Sequence, residues 1–365
     1  MNMYTVADVA QALGAQLLGD GTVSVSGVSQ PDLAGETDIA LAMNPDFAAM
    51  IAQGRARVAM LWPGADWSSY GLQAALVAPR PRFAMSALSA MMDAGQGFDA
   101  GIHPSAIIDP TARLGDNIKI GPLTVIGRDA VIGDNSVIGP QCYIGTGSRL
   151  GQNAYLREGV RIGADVQIGD RFIAQPGATV GADGFSFVTA EVSAVEIARD
   201  SLGKEDISDR GQPWSRIHSL AGVIIGDDVE LGASCCVDRG TVKPTQIGNG
   251  VKTDNLSQIG HNVVIGDDCL ICAQVGIAGS SVLGRNVVLG GQTGVSDNIT
   301  IGDNVITGGA TKVLSNIPSG RIMLGYPAMK MDSHIETYKA LRRLPRLMRR
   351  VSELQKTVMN LSKKD

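Results

Sequence analysis

The 365-residue chain is 44% hydrophobic, only 4% aromatic, and carries a formal net charge of −5. Ile, Val, Leu and Ala are therefore left to build the core, and the length predicts two or three domains. No stretch of about 18 apolar residues occurs, so no membrane span is expected, and the opening segment, with Asp8 and Gln11 and no basic start, does not read as a signal peptide.

Residues 1–100 read as a small α/β domain. Thr5 can cap a helix over Val6–Leu13, which Gly14 ends. Val23-Ser24-Val25-Ser26 alternates as a strand does. Val58 to Trp62 and Leu72 to Ala78 predict further strands, and Phe83 to Met92 predicts a helix.

From Ile102 to Val180 an aliphatic or small residue recurs at every sixth position, and Gly follows most of these rungs. The pattern resumes at Ile225, Leu231 and Val237, then from Ile247 to Val313. Six fits neither the period of a helix nor plain alternation along one strand. It predicts a parallel β-helix of hexapeptide repeats over residues 101–320, in which three hexads close a triangular coil and residues 18 apart stack. The ladders supply roughly ten coils at about 4.8 Å each, a prism on the order of 45 Å tall. The rung, position i, points inward. Position i+4 is a second inward site, held by small or β-branched residues such as Ala130, Ser148 and Val263. Gly at i+1 is expected to permit a backbone conformation that a Cβ resists, and Asp, Asn and Arg gather at the i+2 and i+3 corners.

Two stretches interrupt the ladder. Phe187 to Ala221 is polar, carries Trp214, and is too long for an ordinary connection, which leaves a functional flap or a disordered segment. Asp238 to Gln246 is a shorter excursion. Of the five cysteines, Cys142, Cys235 and Cys269 occupy i+4. The Cys269-x-x-Cys272 spacing is read as core rather than as a redox or zinc motif, because no second pair completes a metal site. No metal is expected, and a reducing, cytoplasmic compartment fits the thiols.

Residues 321–365 predict a helical tail. Leu347, Val351, Leu354, Val358 and Leu361 follow a heptad seam, and Pro345 is expected to separate this helix from a shorter one before it. Residues 339–364 hold nine Lys or Arg against Glu353 alone. Either an acidic partner or the solvated outer face of a coiled coil accounts for that charge. Nucleic acid is not favoured, since Tyr338 is the only aromatic residue near these cations.

Four histidines could do acid–base chemistry: His103, His218, His261 and His334. His103 opens the first coil, His218 lies in the long excursion, and His334 is expected to precede the tail helix. His261 occupies i+2, a corner facing out of the prism, where packing does not require it. One coil on, the same corner holds Gly279, and one further, Asp297. An imidazole with a Gly amide stacked beside it can serve as a base with an oxyanion donor; a glycine needed only for a turn is the alternative.

The string Asp254-Asn255-Leu256-Ser257-Gln258-Ile259-Gly260-His261-Asn262, together with Asp238-Arg239-Gly240, Ile247-Gly248-Asn249-Gly250, Gly181-Ala182-Asp183-Gly184-Phe185 and Asn44-Pro45, closely resembles the UDP-3-O-(3-hydroxyacyl)glucosamine N-acyltransferases of lipid A biosynthesis. The resemblance spans nearly the whole chain. It implies a left-handed prism between a uridine-binding N-terminal domain and a helical tail, and a homotrimer with active sites in clefts between prisms. It implies transfer of a (3R)-3-hydroxyacyl group from the phosphopantetheine thioester of acyl carrier protein to the 2-amino group of a UDP-3-O-acylglucosamine, with no bound cofactor. His261 matches the base and Gly279 the oxyanion glycine. Asp254 or Asp238 is left to orient the imidazole, with Asn255 and Asn298 as further substrate contacts. Asn44 and Phe47 match the uridine contacts, and an acidic carrier protein would account for Arg342, Arg343, Arg346, Arg349 and Arg350. The chain departs from the family pattern at Asn298, where a second His is common, at Leu41, where an aromatic is expected, and in the length of the 187–221 excursion. A related sugar-nucleotide O-acyltransferase, a metal-dependent hydratase on the same prism, and a non-catalytic trimeric scaffold are the rival readings.

Overall fold

The computed structural model describes residues 3–207 and 212–361. The chain divides into two compact units, Met1–Gly97 and Phe98–Asp365.

In the first unit, Thr5 and Asp8 form a reciprocal capping box at the start of helix Val6–Leu13, and Gly14 ends it at φ 59°. A five-stranded sheet runs in the order Gln16–Gly19, Ala74–Val77, Val58–Leu61, Asp38–Ala42 and Gly27–Ser29. Its first pair is antiparallel and the rest are parallel. Val58 to Leu61 is buried on both faces, which is why it reads as an unbroken apolar run. Val58, Met60 and Leu76 face the helices through Val9 and Leu88, while Ala59 and Leu61 pack with Ile51 on the other side. The helix expected from Phe83 starts at Pro81, a residue suited to the first helical position.

The second unit is the expected parallel β-helix, its three sheets holding ten, ten and nine strands. Neighbouring strands register 18 residues apart, as in Ile120 on Ile138 and Ile138 on Leu156. The solenoid opens at Ile102, which joins Ile120 by an isolated bridge, and runs on to Ile322–Met323, paired with Ile306–Thr307. From Ile120 to Val180 every rung is buried. At i+4, inward hydroxyls bond a carbonyl of the next coil: Thr124 to Gly139 at 2.7 Å, Ser148 to Gly163 at 2.6 Å. Cys142 does the same to Arg157 at 3.0 Å, so a thiol is one more small inward donor.

The role expected of Gly at i+1 is corrected. The left-handed backbone lies instead at i+3, at Asn117, Asp129, Asn135, Gln141 and Asn153 among others, with φ of 53–57°. The i+1 glycines answer a steric demand: a Cβ on Gly133 would sit 2.5 Å from the Gln152 nitrogen of the next coil, and one on Gly145 2.5 Å from the Gly163 carbonyl carbon.

The long excursion carries elements of its own. Phe187–Val188 pairs with Ser215–Arg216, and a capping box of Ser193 and Glu196 starts helix Ala194–Asp200. The solenoid resumes in register, Ile225 stacking on Ile168. The expected break at Pro345 does not occur, and His334 does not precede the helix: one helix spans Met331–Leu361 with both residues inside it. Proline removes a single backbone donor and crowds one carbonyl, which a long helix absorbs by bending. No side chain of this helix is buried.

Candidate active site

His261 follows the strand Gln258–Ile259, which stacks on Cys236–Asp238 below and Gly276–Ile277 above. Its ring is half-buried at the prism edge. Glycine flanks it on two sides. A Cβ on Gly279 would lie 2.7 Å from both Cε1 and Nε2, and one on Gly184 would lie 2.6 Å from the His261 Cβ and 3.0 Å from Cγ. Gly279 has no left-handed backbone angle; it is a glycine because the imidazole occupies the space of a side chain. The alternative of a turn glycine is thereby set aside.

The ring's orientation comes from its neighbour. His261 Nδ1 lies 2.8 Å from Asn262 Oδ1. Asn262 is held in turn: its Nδ2 donates to the Lys243 carbonyl at 2.8 Å, its Oδ1 accepts from the Thr241 hydroxyl at 3.0 Å, and its amide donates to the Thr245 hydroxyl at 2.9 Å. With the amide nitrogen committed to a carbonyl, Oδ1 acts only as an acceptor, so Nδ1 carries the proton. Nε2 is then the basic atom, and it is the one beside Gly279. The short 238–246 excursion thus supplies the residues that fix the tautomer. In the sequence, the one signal of Asn262 is its place next to His261 at a corner.

The two orienting candidates separate. Asp238 ends the strand directly beneath Gln258–Ile259 and is 8% exposed. Burial pushes its carboxyl above the ordinary value, against the pull of Gln258, Cys236 and His261. Asp254 and Asn255 follow Lys252–Thr253, a strand of a different sheet, and are exposed. There Asn255 Oδ1 accepts the Ala233 amide at 2.7 Å, so these two serve another corner of the prism and are removed from the site.

Above the imidazole, the Gly279 N–H has no acceptor among the described residues. On another corner, the amides of Asp116, Gln152 and Asn249 each donate to a carboxylate one coil on, at 2.7–3.0 Å. The residue one coil above Gly279 is Asp297, and its carboxylate is engaged by Arg199 at 3.1 Å, Ser296 at 3.2 Å and Asn298 at 3.2 Å. Partial burial works against the charge on Asp297, but Arg199 and these hydrogen bonds outweigh it and hold the carboxyl below its usual value. Asn298 is exposed beside it and donates its amide to the Gly279 carbonyl at 3.1 Å.

His261, Gly279, Asp297 and Asn298 form one side of a groove of about 820 Å³ whose other side is the long excursion, with Phe185, Phe187, Val195, Arg199 and Trp214. The excursion is therefore a flap over the site. Phe185 is 85% and Trp214 50% exposed, an apolar surface turned to a polar corner. Phe185, Phe187 and Trp214 were named from sequence, but Val195 and Arg199 were not, because hexad periodicity stops before them. Four of the thiols are poor candidates for the chemistry: burial pushes Cys142, Cys235 and Cys269 up to about 11 and Cys236, next to Asp238, to about 12.

Elsewhere, Asn44 caps the short turn Pro45–Phe47 by accepting the Asp46 amide at 3.1 Å, and Phe47 is 42% exposed. Leu41 packs against a core of the first unit. Arg342, Arg343, Arg346, Arg349 and Arg350 lie exposed along the tail helix.

A prism of stacked hexads with a basic imidazole on its edge defines a hexapeptide-repeat transferase. The model of the bacterial transferase hexapeptide family matches residues 123–158 and 244–279, and that of the succinyl-transferase hexapeptide repeat matches 222–255. The UDP-3-O-acylglucosamine N-acyltransferase of Ruegeria pomeroyi is 59% identical over 97% of this chain and 98% of its own. That of Paracoccus denitrificans is 59% identical over 98% and 97%. Among solved structures, an Arabidopsis UDP-N-acetylglucosamine acyltransferase aligns over 62% of this chain and 71% of its own, at 20% identity and a TM-score of 0.49. The chain belongs to the UDP-3-O-acylglucosamine N-acyltransferase family and is an acyltransferase with the left-handed β-helix of hexapeptide repeats expected of it.

Proposed function

We propose that the protein transfers a (3R)-3-hydroxyacyl group from the phosphopantetheine thioester of acyl carrier protein to the 2-amino group of UDP-3-O-acylglucosamine, with His261 as general base. The observation that carries this is the imidazole set between Gly184 and Gly279, with Nδ1 bonded to Asn262 and Nε2 beside Gly279, whose amide has no acceptor among the described residues. Nε2 accepts a proton from the amine as its nitrogen attacks the thioester carbon. The carbonyl oxygen becomes an oxyanion facing the Gly279 N–H. Collapse breaks the carbon–sulfur bond, and the departing thiolate takes the proton back from His261. No covalent enzyme intermediate is involved, in keeping with the Cys236 thiol, one coil below the imidazole, being held far above neutrality.

The same reading assigns Asp238 to positioning, Asn298 to substrate contact, and Asn44 and Phe47 to the uridine, for which an exposed aromatic on a short turn is suited to stacking. No cofactor resides in the protein, and the reaction is cytoplasmic. The enzyme works as a homotrimer: the tail face of Leu347, Val351, Leu354, Val358 and Leu361 is exposed in the single chain at heptad spacing. Its arginines are complementary to an acidic carrier protein. The deciding experiment incubates purified enzyme and 3-hydroxyacyl carrier protein with UDP-3-O-acylglucosamine or with UDP-N-acetylglucosamine. An amide product from the first acceptor alone supports the reading; an ester on the second makes the enzyme an O-acyltransferase, and no product from either leaves a scaffold.

A further inference from the structure

A two-bond pattern joins successive coils where Asp or Asn stands at i+2. At Asp170 the backbone bond runs from the Arg171 N–H to the Gln152 carbonyl at 2.9 Å, and the side-chain bond from the Gln152 N–H to the Asp170 carboxylate at 3.0 Å. The same pair recurs at Asp134, Asp267 and Asp303, and Asn255 repeats it on another corner. Asp297 stands at this place above Gly279 and completes only half of the pair. The Asn298 N–H reaches the Gly279 carbonyl at 3.1 Å, while no acceptor among the described residues meets the Gly279 N–H. The missing acceptor is the carboxylate that Arg199, on the flap helix Ala194–Asp200, engages at 3.1 Å.

We propose that Arg199 is a positioning residue for the transfer: by holding the Asp297 carboxylate aside, it leaves the Gly279 N–H free to receive the oxyanion. The inference rests on the acyl-transfer reading above. Carboxylate and oxyanion are both anionic acceptors, and they compete for the single backbone proton of Gly279. Without Arg199, Asp297 stands where Asp134 and Asp170 bond the amide one coil below. Closing that bond occupies the donor and fixes a negative charge where charge develops in the transition state. Ser296 and Asn298 also bond Asp297, at 3.2 Å each, but both are neutral, and the charge-assisted bond to Arg199 is the stronger hold. The flap helix thereby acts on the chemistry without touching the reacting atoms.

The test measures kcat and KM for N-acyl transfer in wild type, Arg199→Ala, Asp297→Ala, Asp297→Asn and the Arg199→Ala/Asp297→Ala double variant, with a crystal structure of Arg199→Ala. Arg199→Ala should lower kcat about 100-fold, the cost of an oxyanion donor, with little change in KM. Alanine at 297 cannot cap the amide, so the double variant should return to within about threefold of Asp297→Ala. Asparagine can cap it, as Asn255 does, so Asp297→Asn should fall about tenfold or more below Asp297→Ala. In the crystal, an Asp297 oxygen should lie about 2.9 Å from the Gly279 nitrogen. An ion pair that only tethers the flap predicts the same loss in all four variants, and that result overturns the inference, as does wild-type kcat in Arg199→Ala or a carboxylate that stays away from the amide. Should Arg199→Ala fail to fold, the contrast between Asp297→Asn and Asp297→Ala decides in the same way. If wild type transfers nothing while the carboxylate of Arg199→Ala closes on Gly279, the role of Arg199 in holding Asp297 aside stands and the assigned reaction falls.

Discussion

Replacing Gly279 by alanine tests the geometry of the site without removing any group the chemistry uses. The amide donor remains, and no left-handed backbone is strained. The new Cβ, however, lies 2.7 Å from Cε1 and Nε2 of His261, so the ring must retreat by about 0.7 Å to reach the 3.4 Å of ordinary contact. Gly184 limits retreat on one side, and the 2.8 Å bond to Asn262 resists rotation. A misplacement on the order of 1 Å costs about 10²-fold in rate, so Gly279→Ala should lower kcat roughly 100-fold with little change in Tm. Gly276 provides the control. It lies in the same coil, and a Cβ there meets nothing within 4 Å, so Gly276→Ala should keep wild-type kcat. Steady-state transfer assays with thermal melts of all three proteins give the comparison. A Gly279→Ala enzyme within threefold of wild type would refute the claim that this glycine exists to make room for the imidazole.

Other outcomes follow from the same coordinates. Asn262→Ala frees the Nδ1 proton to exchange positions, so kcat should fall about 10-fold or more, and substitution by glutamine should not restore it. Cys236→Ser should keep full activity, and alkylation of Cys236 in the folded enzyme near neutrality should be slow, since burial pushes its thiol up to about 12. The Arg199–Asp297 tether should respond to acid. The carboxyl is depressed below its unfolded value, so the tether contributes above about pH 4 and is lost as pH falls through the folded value. Trp214 emission should report that release in wild type and be insensitive to pH there in Arg199→Ala. Changing Arg343, Arg346 and Arg350 to Glu should raise KM for acyl carrier protein at low salt, with the difference shrinking as salt is added.

The solenoid was legible in sequence because each hexad repeats one steric problem. A rung must fill the axis, i+4 must fit a small inward space, and a corner must turn. The rule assigned to Gly at i+1 missed because the left-handed angle falls two residues later; the true constraint is the backbone of the next coil, which sequence spacing does not display. His261 and Gly279 could be paired from the 18-residue stacking alone. Choosing Asp238 over Asp254 required knowing which sheet each strand joins. A flap was one expectation for the excursion, but its wall was not legible, since Val195 and Arg199 join Phe185 and Trp214 only after the excursion folds back over the corner. Pro345 was read as a break because a proline's local penalty is plain in sequence, while the tolerance of a 31-residue helix is not.

The central claim is that one imidazole takes the amine proton, and it is tested by the kcat of His261→Ala for N-acyl transfer to UDP-3-O-acylglucosamine. A loss of about 10²- to 10⁴-fold, with unchanged circular dichroism and oligomeric state, is the predicted result. Transfer at the wild-type rate would contradict it.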